Sequence, residues 1–455
     1  MFRYAEIARV VRGRLEQGTD GAPRRVVHDS RSVEEGDLFV ALKGERTDGH
    51  GFLGEAFARG AGGALVSAGG SVPQGTRNVI VVADTRQALW DFAAAWRKTL
   101  GATFVGVTGT CGKTTTKALV AHLVSGEKEV FAAPESYNPR IGLPLALLAM
   151  PATAEVGVFE VGAGGPGEIL PLASLLAPRL AILTLVGRGH LAGFGDVAAV
   201  AREKWDLVRA LPEAGTAIVN ADSPELVEAA ASWKGRTLTF GVAAGRLRGR
   251  VVQVFPALVV ETADPPLRIL SPLLGRHNAT NLLAAVACAL ELGVLPREIE
   301  RRAATFEGAP HRLRLLPSSF GYILDDAYNA NPESMRAALG TLAELDLPVA
   351  KRSFIFGEML ELGEEGGRCH TEVLELALRL GIRPIFPIGD EAIGAARRVL
   401  DQTPRGTFVF ARKDELVRRV PEALGGAASV VLVKGSHGVG LDRVVEDLVA
   451  RPKGG

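Results

Sequence analysis

From Thr85 onward, short unbroken apolar runs alternate with longer stretches whose apolar residues recur at helical spacing. The runs at 103–107, 156–159, 180–185 and 216–219 predict strands, and 88–100 and 281–292 predict helices. Strands that are apolar throughout bury both faces, so this segment predicts a mostly parallel sheet covered on both sides. After a link near Gly308-Ala309-Pro310 the alternation resumes. Strands are expected at 322–324, 353–356, 384–386, 407–410 and 429–433, with helices at 333–345, 370–380, 391–400 and 414–424. That is a second doubly wound sheet. The first 84 residues differ, being Gly-rich with short strands at 37–42 and 79–83 around the turn-forming stretch 68–75. The fold class expected is α/β, with three domains at 1–84, 85–309 and 310–455. Ligands of open α/β sheets sit beyond the carboxyl ends of the strands, so residues just after strands carry most weight.

Composition narrows the field. A length of 455 residues fits three domains at about 150 residues each. A net charge of +1 with 23% charged residues gives no electrostatic footprint for nucleic acid or an anionic membrane. Cys111, Cys288 and Cys369 show no CxxC spacing, which argues against a disulfide framework and for a reducing compartment. The start lacks an apolar signal core, and the apolar stretch at 282–295 is interrupted by Glu291 and falls short of the ~18 residues a spanning helix needs. A cytoplasmic protein without a membrane span is expected.

The strongest chemical signal is Thr108-Gly109-Thr110-Cys111-Gly112-Lys113-Thr114-Thr115, lying between a predicted strand and a helix. Backbone N–H groups in such a turn, backed by a helix N-terminus, cradle phosphates. Lys113 would neutralise the β- and γ-phosphates of ATP, and the Thr114 hydroxyl would coordinate Mg²⁺. The general pattern asks for Gly where this chain has Val107. Glu160 follows the strand at 156–159, where a carboxylate suits a hard cation, although strand-end acids are often only solvated. His190 follows the next strand. Imidazole is an unusual Mg²⁺ ligand, so its chemistry favours a general base, a substrate contact or a plain surface residue. Lys204 has the local pattern of a solvated helix lysine. Further on, Arg312, Asp325-Asp326, Tyr328-Asn329-Ala330-Asn331-Pro332, Gly357-Glu358-Met359-Leu360-Glu361 and Lys434-Gly435-Ser436 flank strands and are expected along one sheet edge.

These blocks, in this order, resemble the Mur ligase family across essentially the whole chain. The phosphate turn is followed by Glu160-Val161-Gly162, Pro166-Gly167-Glu168-Ile169, His190, Lys204 and Asn220-Ala221-Asp222. Then come His277-Asn278-Ala279-Thr280-Asn281, His311-Arg312-Leu313 and Lys434-Gly435-Ser436. Within the family, 325–332, 357–363 and His370 look like the member that adds D-alanyl-D-alanine. The opening blocks Asp29-Ser30-Arg31 and 36–50 are shared with the third-residue-adding member, whose Asp-Asn-Pro-Arg motif this chain lacks. A folylpolyglutamate synthase would lack such an opening.

The resemblance implies a uridine-nucleotide substrate domain, a central ATPase domain and a C-terminal Rossmann-like domain that binds the incoming dipeptide. It implies ATP-dependent joining of D-alanyl-D-alanine to UDP-N-acetylmuramoyl-tripeptide (UDP-MurNAc-tripeptide) through an acyl phosphate, in peptidoglycan precursor synthesis. By the same resemblance, Lys113, Thr114 and Glu160 serve the phosphates and a first Mg²⁺, while His190 and a carbamylated Lys204 serve a second. His277, Asn278 and Asn281 lie near the adenine, Arg312 reaches the phosphates, and Asp326 meets the ribose. Ser30 and Arg31 contact the uridine end, and Asn138, Tyr328, Asn329, Asn331 and Lys434 contact substrate. A monomer is expected. The competing readings are another Mur-family ligase, or a P-loop protein that uses ATP as a switch without catalysis. The chain departs from the family pattern at Pro139, Leu185, Glu358 and His437, none of which removes a group needed for phosphoryl transfer.

Overall fold

The computed structural model describes residues 1–44, 47–69, 72–134, 139–187, 191–424 and 429–450. The chain forms two compact units: Met1–Gly106 with Lys128–Val161 and Ile169–Arg179, and Val107–Glu127 with Gly162–Glu168 and Leu180–Gly455.

In the first unit a five-stranded sheet runs in the order Arg14–Glu16, Val79–Val82, Gly63–Ser67, Leu38–Val40, Val26–Val27. Its first pair is antiparallel and the rest are parallel. Phe39, Ala41, Leu53, Ala64, Val66 and Val79 form part of its core. Helix Thr85–Thr99 starts where Asp84 accepts hydrogen bonds from Arg86 N and Gln87 N, a side-chain cap for two otherwise orphaned donors. It buries Leu89, Phe92 and Trp96, the helical stripe seen in the sequence. Strand Val156–Glu160 pairs in parallel with Val130–Ala132.

In the second unit, strands Leu180–Leu183, Thr216–Asn220, Arg236–Gly241 and Leu247–Gln253 are successive parallel neighbours. They continue into antiparallel Leu258–Ala263 and Pro266–Ser271. The stretch from Arg236 to Ser271 was not expected as strand. Its burial alternates, with Leu247 and Gly249 in and Arg248 and Arg250 out, and half-exposed antiparallel strands produce this pattern in place of an apolar run.

A further five-stranded sheet has the order Arg314–Ser318, Gly321–Asp326, Ser429–Lys434, Arg352–Gly357, Ile385–Ile388. Only the first pair is antiparallel. The strand expected at 407–410 is a single bridge between Phe408 and Ile385. Phe410 is exposed there, so the segment has too little core to face and leaves the sheet edge after one bridge. The register sets Lys434 opposite both Asp326 and Phe356, so three strands end side by side. Among the described residues, no helix is long and apolar enough to cross a membrane.

Candidate active site

The phosphate turn leaves strand Thr103–Thr108 and enters helix Lys113–Val124. Two glycines are required by space as well as by dihedral angle. Gly109 has φ 148° and Gly112 has φ 84°. A Cβ on Gly109 would collide with the Thr184 hydroxyl, and one on Gly112 with the Asn281 amide oxygen. Thr184, fully buried one residue past its strand, lies with its hydroxyl 2.5 Å from Cys111 O. Thr110 N donates to Leu185 O at 2.7 Å, and Gly187 N to Thr110 Oγ1 at 3.1 Å. The loop is therefore held open from its neighbours, with Lys113 Nζ folded back on Gly109 O at 2.8 Å. Sequence reasoning missed Thr184 because it fell inside the strand expected at 180–185, which ends at Leu183; a lone hydroxyl within an apolar run was the available signal.

Arg312 meets this turn from the following sheet. Its Nη2 donates to Thr114 Oγ1 at 3.0 Å, and its guanidinium carbon lies 3.9 Å from the centre of the Tyr328 ring. The Arg312 Nε is buried and makes no hydrogen bond to the protein. Both neighbours of Arg312 adopt left-handed backbone, His311 at φ 53° and Leu313 at φ 55°. For non-glycine residues that costs about 1–3 kcal/mol each, and such strain persists only where surrounding contacts fix it. Those contacts are visible. His311 Nδ1 lies 2.9 Å from Asp325 Oδ2, Tyr328 N donates to His311 O at 3.2 Å, and Leu313 is buried. Burial pushes the Asp325 carboxyl above its usual range, against the pull of His311.

The three adjoining strand ends are cross-linked. Lys434 Nζ donates to Asp326 Oδ2 at 2.5 Å and to Asn329 O at 2.8 Å. Ser436 N donates to Glu358 O at 2.9 Å, and Leu360 N to Ser436 Oγ at 2.9 Å. Buried His370 accepts from Met359 N at 2.8 Å while its Nδ1 faces Gly366 O at 2.7 Å. Burial lowers its pKa, and the neutral ring serves as a brace for the 358–360 loop. Asn331 caps helix Pro332–Glu344 through Ser334 N and touches Cys111, with Nδ2 3.2 Å from Sγ.

The adenine-side candidates open helix Asn278–Glu291. His277 is its exposed N-cap residue, Asn278 Nδ2 donates to Leu274 O, and Asn281 Nδ2 donates to Asn278 Oδ1. Lys204 departs most from its sequence appearance, since it is 2% exposed. Its Nζ sits 3.5 Å from Ala163 O and 5.6 Å from the centre of the Phe194 ring. Burial first, and the charge of Lys113 second, bring its pKa down to about 7, against the opposing pull of Glu203 and Glu168. Glu203 accepts from Gly167 N and Glu168 N, fixing the neighbouring loop.

In the first unit, Glu160 ends strand Val156–Glu160. Ser30 Oγ donates to Glu55 at 2.8 Å, and Arg31 pairs with Asp29 at 2.7 Å. His190 and Asn138 lie outside the described residues. Thus Thr108–Thr115, Arg312, Tyr328, Asn331 and the Asp326–Lys434 pair come together around one turn, while Ser30 and Arg31 belong to the other unit.

Three family models match in succession: the Mur ligase family catalytic domain over 24–97, the Mur ligase middle domain over 107–289, and the Mur ligase glutamate ligase domain over 311–437. The chain belongs to the Mur ligase family. It has the three-domain α/β architecture of these enzymes. A Bacillus subtilis relative, UDP-N-acetylmuramoyl-tripeptide–D-alanyl-D-alanine ligase, is 32% identical over 450 residues, with 98% of each chain covered. Among solved structures, MurF from Acinetobacter baumannii superposes with a TM-score of 0.87 at 28% identity, covering 99% of both chains. MurF ligase from Thermotoga maritima, solved with ADP, gives 0.80 at 27% identity, covering 94% of this chain and 97% of that one. Within this family, the glycine cradle and the buried Arg312 Nε are features that fit a nucleotide phosphate.

Proposed function

We propose that this Mur ligase joins D-alanyl-D-alanine to UDP-MurNAc-tripeptide at the expense of ATP, for peptidoglycan precursor synthesis. The observation that carries the reading is the convergence of Lys113, Arg312 and the glycine-lined turn within one unit. The full-length likeness to enzymes named for that reaction supports it. The tripeptide's terminal carboxylate attacks the γ-phosphorus, forming an acyl phosphate and releasing ADP. The dipeptide amine then adds to the carbonyl carbon, and the tetrahedral intermediate collapses with loss of inorganic phosphate.

Lys113 and Arg312 hold negative charge as it moves between phosphates, which is most of what phosphoryl transfer asks of a protein. His277, Asn278 and Asn281 would lie near the adenine and Asp326 near the ribose. Ser30, Arg31, Asn138, Tyr328, Asn329, Asn331 and Lys434 would contact substrate. Thr114, Glu160, His190 and a carbamylated Lys204 would hold Mg²⁺, at two sites, and the metal would supply positive charge to the phosphate oxygens. The buried Lys204 amine, with a pKa near 7, is compatible with that modification. Among the described residues no three His, Cys, Asp or Glu side chains are grouped to hold a metal ion; the proposed set instead draws on a hydroxyl, a carbamate and His190, which lies outside the described residues. Domain limits at 84 and 309, a monomeric state and a cytoplasmic location belong to the same proposal.

The deciding experiment is phosphate release with ATP, Mg²⁺ and UDP-MurNAc-tripeptide, offering D-alanyl-D-alanine, single amino acids, or folate with glutamate. Release with the dipeptide alone is expected. Release with a lone diamino acid and not the dipeptide would overturn the specificity.

A further inference from the structure

We infer that His311, braced by Asp325, is a positioning residue that sets the Arg312 guanidinium against the nucleotide phosphates. This rests on the reading of Arg312 as a phosphate-facing group. Arg312 is flanked by two left-handed residues, neither of them glycine. Such a backbone is disfavoured by a Cβ at both positions, more strongly at Leu313 than at His311, since His tolerates it better than most residues. It is held by three anchors on one side. His311 Nδ1 bonds Asp325 Oδ2 at 2.9 Å, and His311 O accepts from Tyr328 N at 3.2 Å. Asp325 in turn receives Ala327 N at 3.2 Å, so one carboxylate fixes both the residue before Arg312 and the segment leading to Tyr328.

The consequence falls on Arg312. Its guanidinium carbon lies 3.9 Å from the centre of the Tyr328 ring, and its Nη2 reaches Thr114 Oγ1 at 3.0 Å. The segment that supplies the ring is thus tied to the backbone that supplies the cation. Releasing His311 would loosen both together. A long flexible side chain working on phosphate depends on such fixing, because a misplacement of about 1 Å can cost on the order of 100-fold in rate. Asp325 is separate in function from its neighbour Asp326, whose carboxylate is engaged by Lys434.

The test compares two nearly isosteric replacements that both tolerate left-handed backbone. H311N keeps an N–H donor for Asp325, whereas H311D sets a second carboxylate against it. H311N should retain kcat within about threefold of wild type, and H311D should lose about 10–100-fold in kcat with little change in KM for precursor or dipeptide. In an R312A background, H311D should add no further loss, because its effect passes through Arg312. A purely structural role predicts equal effects of Asn and Asp on kcat, or additive losses with R312A, and either result would overturn the inference. Thermal melting of each variant identifies unfolding. If H311D does not fold, D325N and D325A make the same comparison, the first keeping an acceptor for His311. If the wild type releases no phosphate from the proposed substrates, the function above fails by itself. The inference is then read from displacement of trinitrophenyl-ATP, where H311D must weaken ATP binding as R312A does while H311N must not.

Discussion

Lys434 Nζ and Asp326 Oδ2 form an ion pair at 2.5 Å, with the two side chains only 1% and 12% exposed. They close the ends of neighbouring parallel strands, and Lys434 spends a second hydrogen bond on Asn329 O. A buried pair of this kind is weak evidence for net stability, but removing one partner leaves an uncompensated buried charge. Lys434→Met should therefore lower the unfolding free energy by about 3–5 kcal/mol in urea titration. Lys434→Met with Asp326→Leu should recover much of that loss and remain inactive. Recovery of turnover by the double variant would remove both residues from the active site.

Lys113→Ala should abolish phosphate release while leaving UDP-precursor binding close to wild type. Lys113 lies in the phosphate turn of one unit, whereas Ser30 and Arg31 lie in the other. Equilibrium binding of the UDP-precursor, measured beside turnover, separates the two effects.

Gly112→Ala should fail for two reasons at one position. Its φ of 84° is strained for alanine, and the new methyl would collide with the Asn281 amide oxygen. A loss of ATP binding is expected, with thermal stability falling by roughly 1–3 kcal/mol from the strain. Relieving only the collision with Asn281→Gly should leave the Gly112→Ala protein less stable than Asn281→Gly alone. Equal melting of the two would show that the loop tolerates the dihedral angle.

The phosphate turn was legible because its chemistry is local: two glycines, a lysine and a threonine between a strand and a helix. The strand-end motifs were legible for a related reason, since parallel order places their carboxyl ends together. The contacts that complete the site were not. Thr184 against Cys111, Arg312 against Thr114 and Asn331 against Cys111 join residues 73, 198 and 220 positions apart. No periodicity encodes those distances. The burial of Lys204 was hidden as well, because helix Val197–Arg209 buries Glu203 and Lys204 along with its apolar stripe. The strands from Arg236 to Ser271 were hidden because half-exposed strands such as Leu247-Arg248-Gly249-Arg250 alternate apolar and polar residues and carry no unbroken apolar run.

Lys204 carries the sharpest pH prediction. Its folded pKa is about 7 and its ordinary value 10.5, with burial the larger cause and the charge of Lys113 the next. Between those values the unfolded chain keeps a proton that the folded chain has released. Stability should therefore climb as pH rises from about 7 towards 10.5, and Lys204→Met should flatten that rise. The same shift bears on chemistry. Carbamate formation needs the neutral amine, which this burial makes abundant at neutral pH, and bicarbonate should raise activity more at pH 8 than at pH 6. Lys204→Ala should lose on the order of 1000-fold in kcat, as expected when a charge-stabilising group is removed from a closed site. Formate or acetate should restore part of that rate by supplying the missing carboxylate oxygen. A side chain that merely fills space would give no such rescue. Mass spectrometry of wild type after trapping the carbamate as a methyl ester should show the adduct on Lys204, and an unmodified, fully active lysine would end the carbamate proposal.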